Sequence, residues 1–186
     1  MSTPMNAPEE QQEMRRPGLP YEQIQDIKRR ARDAAGQVLD VYWDLDKFPV
    51  DPVRLAQEYG AEVFIGDLKE DLDGFMVPPR DGYGAQIYVD TDSSPARQRF
   101  TTAHELGHLV EDGERLQVDR RRDALSKEGT DPHELFANEF AASLLMPEFA
   151  VRQLVAAGMA RARLHGFFGV SQLAMQHRLR NLRLND

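Results

Sequence analysis

The sequence contains no cysteine in its 186 residues. A chain without thiols forms no disulfide, and any metal ion must be held by nitrogen and oxygen ligands, which excludes the thiolate-rich structural zinc sites. The sequence also lacks an apolar run as long as a signal peptide or a membrane span. We therefore expect a cytoplasmic protein that does not enter a membrane.

The sequence also has no excess of basic residues. Lysine and arginine number 23 against 31 aspartates and glutamates, a net charge of -8. This balance argues against a protein that coats nucleic acid, so we do not expect direct binding to DNA or RNA. The hydrophobic fraction of 41% with 29% charged residues is typical of a globular protein, and the length suits one domain.

Proline and polar residues without periodicity fill residues 1–19, which we interpret as a flexible leader. Residues 20–186 are predicted to form a single domain, with further helices from about residue 148. Helical spacing of apolar residues, with capping and breaking residues at the ends, predicts the main helices. Their predicted bounds are 21–41, 52–59, 96–110 and 132–145.

Three short runs between turn residues have strand character, namely 61–65, 74–77 and 85–90. We expect them to form a small three-stranded antiparallel sheet. In the last run Ile87 and Val89 fall on one face and Gln86, Tyr88 and Asp90 on the other, so one face should pack and the other face a cleft.

Residues 104–108 read His-Glu-Leu-Gly-His inside the third predicted helix. Positions four apart lie on one helical face, so His104 and His108 can bind one metal ion. Glu105 lies beside them, where it can act as a base toward water without itself binding the metal. This spacing is typical of a catalytic metal site.

A third ligand is needed, and the next helix offers one. Glu134 stands near its start, and Asn138 follows one turn later, where its amide can hydrogen-bond a ligating imidazole. His133 competes with Glu134 for the third position, although adjacent helical residues point about 100° apart. A metzincin would have a glycine at position 111 and its third ligand at position 114, where this chain has Glu111 and Glu114. Without the glycine the sharp turn of that pattern fails.

Two blocks of the sequence, RQRFTTAHELGHLVEDG and ELFANEFAASLLMP, resemble the signature blocks of the ImmA/IrrE family of bacterial and phage regulatory metallopeptidases. The resemblance implies an α+β, zincin-like fold, mostly helical, with the motif helix beneath the edge of the sheet. It implies metal ligands at His104, His108 and Glu134, Glu105 as catalytic acid and base, and cleavage of a helix-turn-helix repressor that relieves repression of transcription.

Zinc is the ion expected for two imidazoles and one carboxylate, and manganese and iron suit the same ligands. Tyr83, Tyr88, His133 and His165 are candidates for contacts with the substrate or with an oxyanion. The edge formed by residues 84–90 could accept a peptide as an added strand.

Two other functions stay open on the sequence alone. The chain could be a transcription regulator that keeps a peptidase-like fold without catalysis, or an interaction partner in a toxin-antitoxin pair. The basic segment after residue 151, with six arginines against Asp186 alone, would have to carry the first of these functions.

Overall fold

The computed structural model describes residues 19–68, 72–80, 82–112 and 131–184. Within these ranges the chain forms seven helices and three strands. The helices are α1 (Tyr21–Tyr42), α2 (Pro52–Glu58), α3 (Pro95–Asp112), α4 (Pro132–Leu145), α5 (Glu148–Ala156), α6 (Arg161–Phe168) and α7 (Gln172–Asn181), and the strands are β1 (Ala61–Gly66), β2 (Gly74–Val77) and β3 (Ala85–Asp90).

This α+β, mostly helical architecture confirms the predicted fold class. The four predicted helices and three strands lie within one or two residues of their predicted bounds. The chain also forms the helices expected after residue 148. Nearly all of the predicted leader, and most of the polar connection between residues 111 and 131, lie outside the described residues.

The prediction of an antiparallel sheet was wrong for one of the two strand pairs. The strand order is β1-β3-β2, with β2 antiparallel to β3 but β1 parallel to β3. The chain reverses direction twice between β1 and β3, so these two strands run the same way, and β3 lies between the other two. The turn residues in the sequence show the reversals but not which strand occupies the centre.

The central position of β3 also contradicts the prediction that its edge receives a substrate strand. Residues Ala85–Asp90 pair with β1 on one side, and Gln86–Val89 pair with β2 on the other. An added strand needs unpaired backbone N–H and C=O groups. Within the described residues, those groups lie along the outer edges of β1 and β2.

One face of the sheet packs on α3, as the alternation in β3 predicts. Ala85, Ile87 and Val89 are buried, and α3 packs against β2 and β3. The other face carries Tyr88. The sheet therefore acts as a support for the helix that carries the two histidines.

Helix α4 lies in the centre of the helical layer, between α1 and α3. Its apolar residues Phe136, Phe140, Leu144 and Leu145 are all buried. Its position is also fixed by Glu139, which is only 8% exposed and lies 3.2 Å from Arg32 of α1 and 3.6 Å from Arg178 of α7. A buried carboxylate needs such partners, because burial of an unpaired charge is costly.

Helices α6 and α7 are joined by a three-residue turn. Gly169 adopts a left-handed conformation with φ of 64°, and Ser171 caps α7 by accepting a hydrogen bond from the N–H of Ala174 at 3.1 Å. The half-buried Arg99 of α3 donates to the carbonyls of Gly169 and Val50, which holds this turn against α3.

None of the helices in the described ranges has the length and apolar character needed to cross a bilayer.

The close packing of the sheet on α3 can be tested by a substitution at Gly74. A Cβ atom at this position would lie 2.5 Å from both the carbonyl oxygen of Tyr88 and Cγ2 of Thr101. The oxygen belongs to the central strand and cannot move without breaking its pairing. Gly74→Ala is therefore expected to lower the free energy of unfolding by about 1–3 kcal/mol, measured by urea denaturation.

The control is Gly36→Ala in α1, where nothing lies within 4 Å of the added Cβ. Alanine stabilises a helix relative to glycine by about 0.5–1 kcal/mol, so this variant should be more stable than the unmodified chain. Equal stability of the two variants would contradict the close packing of β2 on α3.

Candidate metal centre

Helix α3 presents His104 and His108 on one face, one turn apart. Their rings are nearly perpendicular, with centroids 4.6 Å apart and an interplanar angle of 89°. The two Nε2 atoms lie 3.0 Å apart. His108 is almost fully buried, whereas the side chain of His104 is 15% exposed, so the site opens toward solvent on the side of His104.

Helix α4 supplies the third group from its first turn. Asp131 caps the helix by accepting a hydrogen bond from the N–H of His133 at 2.8 Å, and Pro132 occupies the first helical position. Glu134 follows, with one carboxylate oxygen 3.3 Å from Nε2 of His104 and the other 3.2 Å from Nε2 of His108. The positive end of the helix dipole favours a carboxylate at this place.

These three side chains fit a metal ion. Zinc–ligand bonds of about 2.0–2.1 Å in a tetrahedron place neighbouring ligand atoms about 3.3 Å apart. The two Nε2 atoms lie 3.0 Å apart, and the two oxygens of Glu134 lie 3.3 Å from Nε2 of His104 and 3.2 Å from Nε2 of His108. In the described part of the chain, His104, His108 and Glu134 form a group whose ligand atoms can hold one ion.

Asn138 lies where the sequence predicts it, one turn beyond Glu134 and next to His104. Its Oδ1 is 3.1 Å from Nδ1 of His104. The amide oxygen can only accept, so Nδ1 donates to it, and Nε2 is the nitrogen that faces Glu134 and would be available to a metal ion. This contact selects the tautomer of His104 that can bind a metal.

Glu134 is held in its charged form. Hydrogen bonds with His104 and then with His108 lower the pKa of this carboxyl far below its ordinary value, although burial opposes them. A metal ligand must be deprotonated before it can bind. Glu134 is therefore a carboxylate throughout the neutral range.

Gly107 allows α3 and α4 to come close enough for these contacts. A Cβ at Gly107 would lie 3.0 Å from Cδ1 of Phe140 and 3.1 Å from Cα of Ala137. Such distances are tighter than ordinary van der Waals contact, so a larger residue would force the neighbours apart. The glycine inside the His-Glu-Leu-Gly-His segment thus faces α4.

Glu105 is buried, with 8% of its surface exposed, and directly follows His104 in α3. A carboxylate in this position is shielded from bulk water and adjoins the ligand set. Its role as acid and base stays a prediction.

The structure groups Glu134, and not His133, with the two histidines of α3. His133 instead places its Nδ1 3.0 Å from Oε2 of Glu111, near the end of α3. Of the two candidates for the third ligand, only Glu134 lies within reach of both Nε2 atoms. A contact between His133 and the substrate stays a prediction.

Tyr88, Tyr83 and His165 are not among the grouped ligands. Tyr88 stacks between Phe64 and Phe75 at centroid distances of 5.1 and 4.9 Å, on the sheet face opposite to α3. Tyr83 is 72% exposed in the turn before β3, and His165 lies in the last turn of α6. The stacking of Tyr88 with its two neighbours gives this residue a structural role in the sheet. The suggested substrate contacts of Tyr88, Tyr83 and His165 stay predictions.

Phe100 was not predicted as a site residue, and its ring lies 6.2 Å from that of His104. Phe100 stands four residues before His104 in α3, so the helical repeat already placed the two side chains on one face. The ring forms part of a pocket beside the metal centre, which no periodicity in the sequence reveals.

The contact between Asn138 and His104 can be tested through metal affinity. Asn138→Ala removes the acceptor that fixes the imidazole tautomer, and loss of such a partner typically weakens metal binding by about 10–100-fold. We expect a decrease of this size in zinc affinity, measured by competition with a chromogenic chelator.

Asn181→Ala at the end of α7 is the matched control and should leave the zinc affinity unchanged. Equal zinc affinity in Asn138→Ala and in the unmodified chain would contradict a role for this amide at the metal centre.

The comparisons with known proteins agree with this geometry. The peptidase family model described as the IrrE N-terminal-like domain matches residues 56–180, about two thirds of the chain. No curated protein sequence matches the chain. Among solved structures, the chain is similar to a Mycobacterium tuberculosis transcriptional regulator, with a TM-score of 0.61, 21% sequence identity and coverage of 87% of this chain and 51% of the regulator.

The chain thus spans about half the length of that regulator, and at this identity the likeness is one of fold. The family match extends from α2 into α7 and includes both helices of the candidate metal centre. It confirms the resemblance carried by the two signature blocks: the chain belongs to the family of IrrE N-terminal-like domains.

Proposed function

We propose that this chain is a zinc-dependent endopeptidase that cleaves a helix-turn-helix transcriptional repressor in the cytoplasm and thereby relieves repression. The observation that carries the proposal is the convergence of His104, His108 and Glu134, with the buried Glu105 next to His104 in α3. Two imidazoles and one carboxylate leave a fourth tetrahedral position open, an arrangement typical of catalytic rather than structural zinc sites. The match to a peptidase family supports the same reaction.

A bound zinc ion would polarise the scissile carbonyl and bring the pKa of a water molecule near neutrality. Glu105 would accept a proton from that water and deliver it to the amide nitrogen that leaves. Asn138 keeps the Nε2 atom of His104 directed at the ion. The roles of these residues are thus divided between binding, proton transfer and orientation.

Zinc is the proposed ion because the ligand set has two imidazoles and no thiolate. Manganese and iron bind the same combination of ligands and are the alternatives. A ligand set with two imidazole nitrogens favours zinc, since manganese prefers octahedral oxygen-rich sites.

The substrate class rests on the family. The two signature blocks resemble those of regulatory metallopeptidases that cleave helix-turn-helix repressors, and the fold is similar to that of a protein described as a transcriptional regulator. A repressor encoded beside this chain is the first substrate to examine.

That regulator also supports a second candidate, a regulator that acts without catalysis. Such a protein would need the basic helices α6 and α7 to contact DNA, with affinity that falls steeply as salt rises. A toxin-antitoxin partner would likewise act by binding alone. Both alternatives would keep their function without the carboxylate of Glu105, whereas a peptidase would lose its activity.

Glu105→Gln therefore separates the candidates. Glutamine keeps the size of the side chain but cannot accept a proton from water, so cleavage of the neighbouring repressor should fall by at least about 100-fold. Zinc affinity should stay within about threefold, because Glu105 is not placed among the ligands. Gel electrophoresis measures the cleavage, and chelator competition measures the zinc affinity.

The control is Glu148→Gln in α5, an exposed carboxylate outside the ligand group, and this variant should cleave as the unmodified chain does. Undiminished cleavage by Glu105→Gln would overturn the proposed mechanism. Repression that is relieved equally by Glu105→Gln and the unmodified chain, without cleavage, would favour the non-catalytic regulator.

A further inference from the structure

A pocket adjoins the metal centre on the side of His104. It has a volume of about 480 Å³, which lies in the range of small-molecule sites. Its walls come from the start of α3, from α4 and from α7 with the turn that precedes it. None of the three metal ligands lines it, so it is separate from the ligand set.

Two residues connect the pocket to the metal centre. Asn138 lines the pocket and accepts the hydrogen bond from His104 at 3.1 Å, and Phe100 lines it with its ring 6.2 Å from that of His104. An extended peptide advances about 3.3–3.6 Å per residue, so two residues span this distance. A side chain within two residues of the scissile bond can therefore reach the pocket.

The chemistry of the walls selects the side chain. Phe100, Ala142, Met146, Val170 and Ala174 contribute apolar surface, and no acidic residue lines the pocket within the described part of the chain. A basic side chain would find no counter-ion there. The pocket therefore disfavours lysine and arginine.

An acidic side chain is disfavoured for a different reason. The two arginines that line the pocket already have carboxylate partners, Arg97 with Asp73 and Arg178 with Glu139 at 3.6 Å. Arg178 also donates to the carbonyl of Met146 at 2.9 Å. Arg178 is thus occupied in holding α7 against α4 and Arg97 in its pair with Asp73, so the pocket is preformed and presents mainly carbon to an occupant.

From this geometry we infer that the pocket is a specificity site that binds a large apolar side chain within two residues of the scissile bond of the substrate. The inference rests on the proposed peptidase function and adds to it the chemical class of residue that the enzyme selects. Residues of α7 thereby determine specificity, although they lie outside both signature blocks of the sequence.

The test uses zinc-loaded protein and two small probes that share a metal-binding hydroxamate, so that no natural substrate is needed. Acetohydroxamic acid carries only a methyl group, whereas 3-phenylpropanohydroxamic acid carries an aromatic arm long enough to enter the pocket. Burial of the arm should make the second probe bind at least about tenfold tighter than the first, as measured by isothermal titration calorimetry.

Ala174→Phe fills the pocket from α7 without touching a metal ligand. We expect it to abolish most of the preference for the aromatic probe while leaving the affinity for acetohydroxamic acid unchanged. Ala174→Leu is the milder variant and should reduce the preference partially. Ala162→Phe, at an exposed alanine of α6 outside the pocket, is the matched control and should keep the full preference.

The outcomes separate this inference from the proposed function. Equal affinity for the two probes in the unmodified chain, or a preference that survives in Ala174→Phe and Ala174→Leu, would overturn the specificity site while leaving the metal centre intact. If zinc-loaded protein binds neither hydroxamate, the open metal position is wrong and both proposals fall together.

Discussion

The close crossing of α3 and α4 at Gly107 is the constraint on which the candidate site depends. Each helix alone carries an incomplete set of ligands: two imidazoles on α3 and one carboxylate on α4. The two Nε2 atoms lie 3.0 Å apart, and the two carboxylate oxygens of Glu134 lie 3.3 and 3.2 Å from them, because Gly107 lets Phe140 and Ala137 pack against the α3 backbone. A bulkier residue would separate the helices, and a metal site tolerates errors of only about 0.5 Å.

The rest of the fold keeps this crossing rigid from both sides. The sheet packs beneath α3 through Ile87 and Val89, and α4 is enclosed between α1 and α3. Glu139 adds a polar constraint, since its buried carboxylate lies between Arg32 and Arg178. Removal of one partner from such a buried group costs roughly 3–5 kcal/mol, so α4 cannot easily rotate Glu134 away from the histidines.

Local sequence rules predicted the residues of the site but not their surroundings. The spacing of His104 and His108, and of Glu134 and Asn138, follows from the helical repeat, and the structure places these four side chains together. The position of β3 between β1 and β2 depends on pairing between distant segments, so turn residues could not reveal it. The pocket is likewise formed by three helices that are distant in sequence. No local sequence pattern identifies Ala174 as a residue of its wall.

X-ray absorption at the zinc edge of the loaded protein tests the central claim, that two helices hold one ion through His104, His108 and Glu134. The account predicts a four-coordinate shell with two imidazole nitrogens at about 2.0–2.1 Å and oxygen ligands at about 2.0–2.2 Å. A shell with three or more imidazoles would show that another histidine, such as His133, replaces Glu134. That result, or a six-coordinate shell of oxygen alone, would contradict the account.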